Sequence, residues 1–94
     1  MALKLQVTAQ AKRDAGRILG YIARDNPEAA RNLADALEQG MLGLRTYPLT
    51  GPALANRANP EIRQLIIPPC RVLCRVAAKD VYILGVLRCE QGLP

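Results

Sequence analysis

The sequence predicts a small α+β domain in which a helical hairpin packs on one face of a mainly antiparallel sheet. A short alternating stretch opens the chain, two segments with helical periodicity follow, and three β-rich runs lie within residues 61–89. The expected order is therefore β-α-α-β-β-β. Because the chain has 94 residues, it can bury one modest core. We expect a single domain over residues 1–94.

The first half of the chain is predicted to form one strand and two helices. Residues 3–7 alternate between apolar and polar side chains, as in a strand with one apolar face. In residues 9–24 apolar side chains recur every three or four positions, and Thr8 is a suitable N-cap. Asn26 can cap a second helix that begins with Pro27 and runs to about residue 45. So short a break predicts an antiparallel helical hairpin.

The second half is predicted to form a surface loop and an antiparallel three-stranded meander. Residues 48–60 are rich in proline, glycine and asparagine, which favours the loop. Pro68-Pro69 and residues 78–80 separate three β-rich runs, and connections this short join antiparallel strands. Residues 81–87 are almost wholly apolar, which is typical of a central strand covered on both faces.

The middle run has two different faces. Val72, Cys74 and Val76 share one face by alternation. The other face carries Arg71, Leu73 and Arg75. Since one helical pair covers only one face of a sheet, we expect these arginines on the open face, toward solvent or an anionic partner.

Composition excludes several kinds of chemistry. The chain has 13 Lys and Arg against 8 Asp and Glu, a net charge of +5, so an acidic partner is favoured. It contains no histidine, which removes the usual general base and the commonest metal ligand. Cys70, Cys74 and Cys89 lack metal-site spacing, so we expect neither a metal nor a cofactor. An odd cysteine number without a secretion signal indicates reduced thiols in the cytoplasm. No apolar run approaches the roughly 20 residues of a membrane span, so no membrane association is expected.

Four stretches in this order resemble the RelE/ParE family of bacterial toxins. They are YIARDNPEAA at residues 21–30, LRTYPLTG at residues 44–51, IRQLIIPPCRVLCRV at residues 62–76 and VYILGVLR at residues 81–88. Together they cover nearly the whole chain. The helix junction and the arginine-bearing hairpin are more similar to the ParE-like branch, the plasmid-stabilisation toxins.

The resemblance implies a toxin that is neutralised by an acidic antitoxin protein. Toxins of the RelE-like branch are ribosome-dependent messenger-RNA endonucleases, whereas those of the ParE-like branch inhibit DNA gyrase and are not nucleases. Arg71 and Arg88 fall at positions of two nuclease-branch arginines, but Ile62 and Gln64 stand where that branch has lysines, and no tyrosine follows Arg88. Arginine is a poor base because its guanidinium group keeps its proton at physiological pH. We therefore predict a gyrase inhibitor rather than an enzyme.

Two alternatives stay open. One is a ribosome-dependent RNase that uses Arg71 and Arg88. The other is an inactive toxin fold that only binds its antitoxin, since the histidine that ParE-like toxins often carry in the last strand is missing.

Candidate binding residues follow from the same comparison. For the target we predict Arg71, Arg75 and Arg88, although Arg75 could simply cover apolar surface. An antitoxin helix in the groove of the helical hairpin would contact the residues of its apolar stripes, and an added strand would need an edge at residues 3–7 or 61–67. The predicted antitoxin-binding residues are Ile18, Ile22, Leu33 and Leu37. The arginines of the first helix, at positions 13, 17 and 24, are expected to form a solvated face.

Overall fold

The computed structural model describes residues 2–48 and 62–89 and has the predicted order of elements. These are β1 (Lys4–Val7), α1 (Ala9–Asp25), α2 (Pro27–Gly43), β2 (Ile62–Ile67), β3 (Cys70–Val76) and β4 (Asp80–Arg88). The α+β fold is thereby confirmed. Most of the loop predicted over residues 48–60 lies outside the described residues. None of the described helices is long and apolar enough to cross a membrane.

Both helices begin where local capping signals place them. The Thr8 hydroxyl accepts the Ala11 N–H at 3.1 Å and donates to the Ile83 carbonyl at 2.8 Å, so it joins the start of α1 to β4. Asn26 accepts the Ala29 N–H at 3.0 Å through its side chain, with Pro27 in the first turn of α2. Side-chain acceptors satisfy N–H groups that have no partner within the helix.

The sheet has the strand order β1-β4-β3-β2. Strand β1 pairs parallel to β4, whereas β4 with β3 and β3 with β2 are antiparallel. The predicted central position of β4 is confirmed. Strands β1 and β2 form the two edges, as the sequence suggested.

The core lies between the helical hairpin and one face of the sheet. It is aliphatic, with two cysteines, and consists of Ala11, Ile18, Leu33, Leu37, Leu44, Cys70, Val72, Cys74, Val81, Ile83 and Val86. Within the described residues the helices cover this face alone. On the other face Tyr82 and Leu87 are half-buried, opposite Arg75 and Arg71. The prediction that helices or other elements cover β4 on both faces therefore does not hold for the part of the chain described.

A one-residue bulge interrupts β4. Leu73 pairs with Gly85 and Cys74 with Ile83, so Leu84 has no partner in β3. An extra residue in one strand moves every later side chain of that strand to the opposite face of the sheet. The Asp14 carboxylate of α1 approaches the bulge closely, because a Cβ atom at Gly85 would stand 3.1 Å from its Oδ2. Glycine thus leaves room for this contact between α1 and β4.

Candidate functional site

Arg71 and Arg75 lie together on the open face of the sheet. Arg71 is opposite Ile66 in β2 and Leu87 in β4, and Arg75 is opposite Ile62 and Tyr82. Partners across a ladder point to the same face, and residues two apart in a strand do too. The predicted pair of cationic residues on the uncovered face is therefore present.

Arg71 has hydrogen-bonding capacity that the described chain does not use. Its Nε and Nη2 atoms are shielded from solvent but have no acceptor, and the Gln64 Oε1 on the same face has no donor. Shielded donors without acceptors are unfavourable, and those of a charged group especially so.

Arg88 lies on the opposite face from Arg71. It pairs with Cys70, which is buried under the helices, whereas its neighbour Leu87 pairs with Arg71. Its guanidinium carbon lies over the Tyr21 ring of α1, 5.3 Å from the ring centroid, within the range of a cation–π contact. The three predicted target-binding arginines are thus not brought together, because the bulge turns Arg88 toward α1.

A cavity of about 250 Å³ adjoins Arg88, between α1 and the end of β4. Asp14, Arg17 and Tyr21 line it from α1. The Asp14 side chain is 9% exposed and accepts the Val86 N–H at 3.1 Å and the Gln10 side-chain N–H at 2.7 Å. Its carboxylate is therefore engaged in holding the bulge.

No sequence motif marks Asp14, Arg17 or Tyr21 as site residues. A usable signal was the helical spacing. Asp14 lies four residues before Ile18, and Tyr21 lies three residues after it. All three side chains therefore share one face of α1. A carboxylate on the same face as a core residue indicates a buried polar contact.

The residues predicted to bind an antitoxin lie mostly inside the protein. Ile18, Leu33 and Leu37 are buried in the core, and Ile22 is half-buried and packed against it. Their contact with an antitoxin remains a prediction, but their observed packing is between the helices and the sheet.

An apolar groove runs beside these core residues, between β1, α1 and α2. Its volume is about 420 Å³, and its walls include Leu5, Val7, Leu19, Met41 and Leu42. Among the charged residues, Lys12 and Glu38 flank it. Leu37, one of the four predicted antitoxin-binding residues, also lines the groove. The half-buried and exposed side chains around it supply most of the apolar surface that a partner can reach.

The cysteines divide by exposure. Cys70 and Cys74 are buried, whereas Cys89 is exposed. Burial raises the pKa of the Cys74 thiol, and the positive charge of Arg63 opposes part of that rise. Within residues 2–48 and 62–89 no group of three or more potential metal-binding side chains comes together.

Comparison with known proteins agrees with the fold. The family model described as the ParE toxin of the type II toxin–antitoxin system parDE matches residues 5–92. No curated protein matches the sequence.

Two solved structures show the same fold at low sequence identity. A chain of the chromosomal ParDE system from P. aeruginosa is 22% identical with a TM-score of 0.77, and the match covers 93% of this chain and 96% of that one. A chain of the RelBE2 toxin–antitoxin complex from Mycobacterium tuberculosis is also 22% identical, with a TM-score of 0.68 and coverage of 94% and 99%. The protein is thus a toxin of a type II toxin–antitoxin module. It belongs to the ParE toxin family.

Proposed function

We propose that this toxin binds DNA gyrase and inhibits it, and that an acidic antitoxin neutralises it. The observation that carries the proposal is the open face of the sheet, where Arg71 and the exposed Arg75 place two positive charges side by side. Arg75 extends the positive charge of this face. Such a surface suits the binding of a macromolecule with complementary acceptors.

The same geometry argues against RNA cleavage. A nuclease of the RelE type would need Arg71 and Arg88 at one phosphate, yet the two residues lie on opposite faces of the sheet. Neither is a suitable base, and the chain contains no histidine. These observations support binding rather than catalysis.

A supercoiling assay with purified gyrase tests the target. We expect excess toxin to block supercoiling and Arg71→Gln to reduce the inhibition about tenfold or more, because a charge-assisted contact would be lost. The matched control is Arg31→Gln, which removes an equal charge from the exposed side of α2. Unimpaired supercoiling in the presence of excess folded toxin would contradict the proposal.

Two further measurements separate the alternatives. Cleavage of ribosome-bound messenger by the purified toxin would indicate the RNase. Expression without growth arrest, together with tight antitoxin binding, would indicate an inactive toxin fold.

We further propose that the antitoxin occupies the apolar groove and the adjacent edge of β1. The amides of Lys4 and Thr8 bond to carbonyls of residues 79 and 83. Leu5 and Val7 alternate with these residues along β1. Their backbone N–H and C=O groups therefore point away from β4. An amphipathic helix in the groove and a strand at this edge are both common modes of peptide recognition.

A further inference from the structure

The three arginines predicted to bind the target fall into two separate regions of the structure. Arg71 and Arg75 belong to the open face of the sheet, whereas Arg88 lies beside α1 on the other side. The proposed gyrase contact uses only the first region. The second region is therefore unexplained.

Helix α1 continues this second region along its exposed side. Arg17 and Tyr21 are four residues apart, about 6 Å along the helix axis, and both line the cavity beside Arg88. Arg13 lies four residues before Arg17, and Arg24 lies three residues after Tyr21. Both arginines are exposed. The result is a row of guanidinium groups with one aromatic ring among them.

The nearby carboxylate of Asp14 does not pair with Arg17. Asp14 is engaged by the Val86 N–H and by Gln10, as described above. Arg17 has no hydrogen bond or ion pair with any residue in the described part of the chain. Asp25, at the end of α1, is exposed and is the nearest carboxylate in sequence to Arg24. Among the residues that line the cavity, two arginines stand against one aspartate, so the formal charge of the lining is positive.

The exposed ring of Tyr21 indicates the chemical class of ligand that the cavity can bind. Tyr21 is 58% exposed, although Arg88 lies over its ring. Guanidinium groups bind phosphate in a bidentate manner, and an exposed ring stacks on a base.

We propose that the cavity formed by Arg17, Tyr21 and Arg88 binds single-stranded nucleic acid. A phosphodiester group lies against the guanidinium groups, and an unstacked base lies against the Tyr21 ring. An acidic polypeptide would use the arginines but not the ring. The apolar groove, by contrast, is lined by the other side of α1 at Ala15, Gly16 and Leu19, and its chemistry suits a protein partner.

The proposal goes beyond gyrase inhibition and is tested without gyrase. Purified full-length toxin is titrated into a short fluorescent oligothymidylate at about 50 mM salt, and binding is followed by anisotropy. We expect Tyr21→Ala to weaken binding about fivefold or more, because stacking on one base is lost. Tyr21→Phe keeps the ring and should bind as the wild type does.

Charge variants test the phosphate contact. Arg17→Gln should weaken binding severalfold and reduce the slope of affinity against salt by about 0.7, the amount lost with one phosphate contact on a single strand. Arg31→Gln is the matched control, because it removes the same charge from α2 outside the cavity; it should change affinity less than about twofold. Arg88→Gln should weaken binding as Arg17→Gln does.

Three results would overturn the proposal. They are equal effects of Arg17→Gln and Arg31→Gln, full binding by Tyr21→Ala, and displacement of the oligonucleotide by polyglutamate as effectively as by unlabelled strand. The exposed side chains of Arg17 and Tyr21 make unfolding of their variants unexpected, and circular dichroism checks it. These two variants decide the outcome even where Arg88→Gln, at a half-buried position, fails to fold.

Loss of DNA binding and loss of gyrase inhibition are separate readouts. A toxin that inhibits gyrase but binds no oligonucleotide would overturn this inference and leave the proposed function intact. The reverse result would leave this inference intact and overturn the proposed target.

Discussion

Asp14 joins the first helix to the last strand. Its Oδ2 accepts the Val86 N–H at 3.1 Å, across 72 positions of sequence, and its Oδ1 accepts from Gln10. The Val86 N–H follows the bulge in β4, where regular pairing with β3 is interrupted. A buried carboxylate is tolerable here because both of its oxygens accept hydrogen bonds.

Loss of this carboxylate should cost stability. We expect Asp14→Ala to lower the free energy of unfolding by about 1–3 kcal/mol, because the Val86 N–H would be buried without an acceptor. Asp14→Asn keeps one acceptor oxygen and should cost less. Urea denaturation measures both, with the exposed Asp35→Ala as a control that should stay within about 0.5 kcal/mol. An Asp14→Ala variant as stable as this control would contradict the role.

Cys74 gives a dependence of stability on pH. Burial raises its pKa in the folded protein, whereas the unfolded thiol ionises near its ordinary pKa of 9.0. The stabilising contribution of the protonated thiol is full below pH 9.0 and is lost as pH rises toward the raised folded pKa. We therefore expect the free energy of unfolding to fall above pH 9.0.

Cys74→Ala should reduce that fall in a series of urea titrations under reducing conditions. The exposed Cys89→Ala should leave it unchanged. If Cys74→Ala and wild type have the same pH profile, another group accounts for the fall.

The elements of the fold were predictable where their signals are local. Thr8 and Asn26 mark helix starts within a few residues, and alternation in β3 separates Arg71 and Arg75 from the core. The face of Arg88 was not predictable in this way. If side chains alternated regularly along β4 from the buried Val81, residue 88 would lie on the open face. The extra residue at the Leu84 bulge instead places Arg88 on the face that the helices cover.

The bulge depends on a contact between residues far apart in the sequence. Asp14 and Gly85 meet only after α1 has packed on β4. The sequence pattern of neither segment alone predicts this contact. For the same reason the cavity that combines Arg17 and Tyr21 with Arg88 could not be assembled from sequence spacing.

The two helix caps should differ in their importance. We expect Thr8→Ala to lower the free energy of unfolding by about 1–2 kcal/mol, because it loses both the cap and the bond to the Ile83 carbonyl of β4. Asn26→Ala removes only an exposed cap and should cost about 0.5–1 kcal/mol. Thermal or urea unfolding of the two variants provides the comparison. Equal losses would show that the bond from Thr8 to β4 adds nothing measurable.

At the scale of the whole molecule, three surfaces differ in chemistry. The open sheet face carries Arg71 and Arg75, the α1 side carries Arg17 and Arg88, and the apolar groove lies between β1 and the two helices. Because the surfaces are separate, substitutions can affect one interaction and leave the others.

The groove gives the sharpest test of the antitoxin contact. We expect Leu19→Glu to weaken antitoxin binding by about tenfold or more, because an apolar contact becomes a charge that repels an acidic partner. Isothermal titration with the purified antitoxin measures it, and the exposed Tyr47→Glu is the matched control. Association should also slow as salt rises. Full affinity of the Leu19→Glu variant would place the antitoxin elsewhere.

The parallel pairing of β1 with β4 has a consequence for synthesis of the protein. Residues 4–7 complete their ladder only with residues 80–83, near the other end of the described chain. Because β4 is also the central strand, β1 and β3 cannot join one sheet before it is translated. The ribosome adds about 5–20 residues per second, so the emerging chain spends seconds without its sheet. The nascent chain therefore lacks its complete sheet until β4 has left the ribosome.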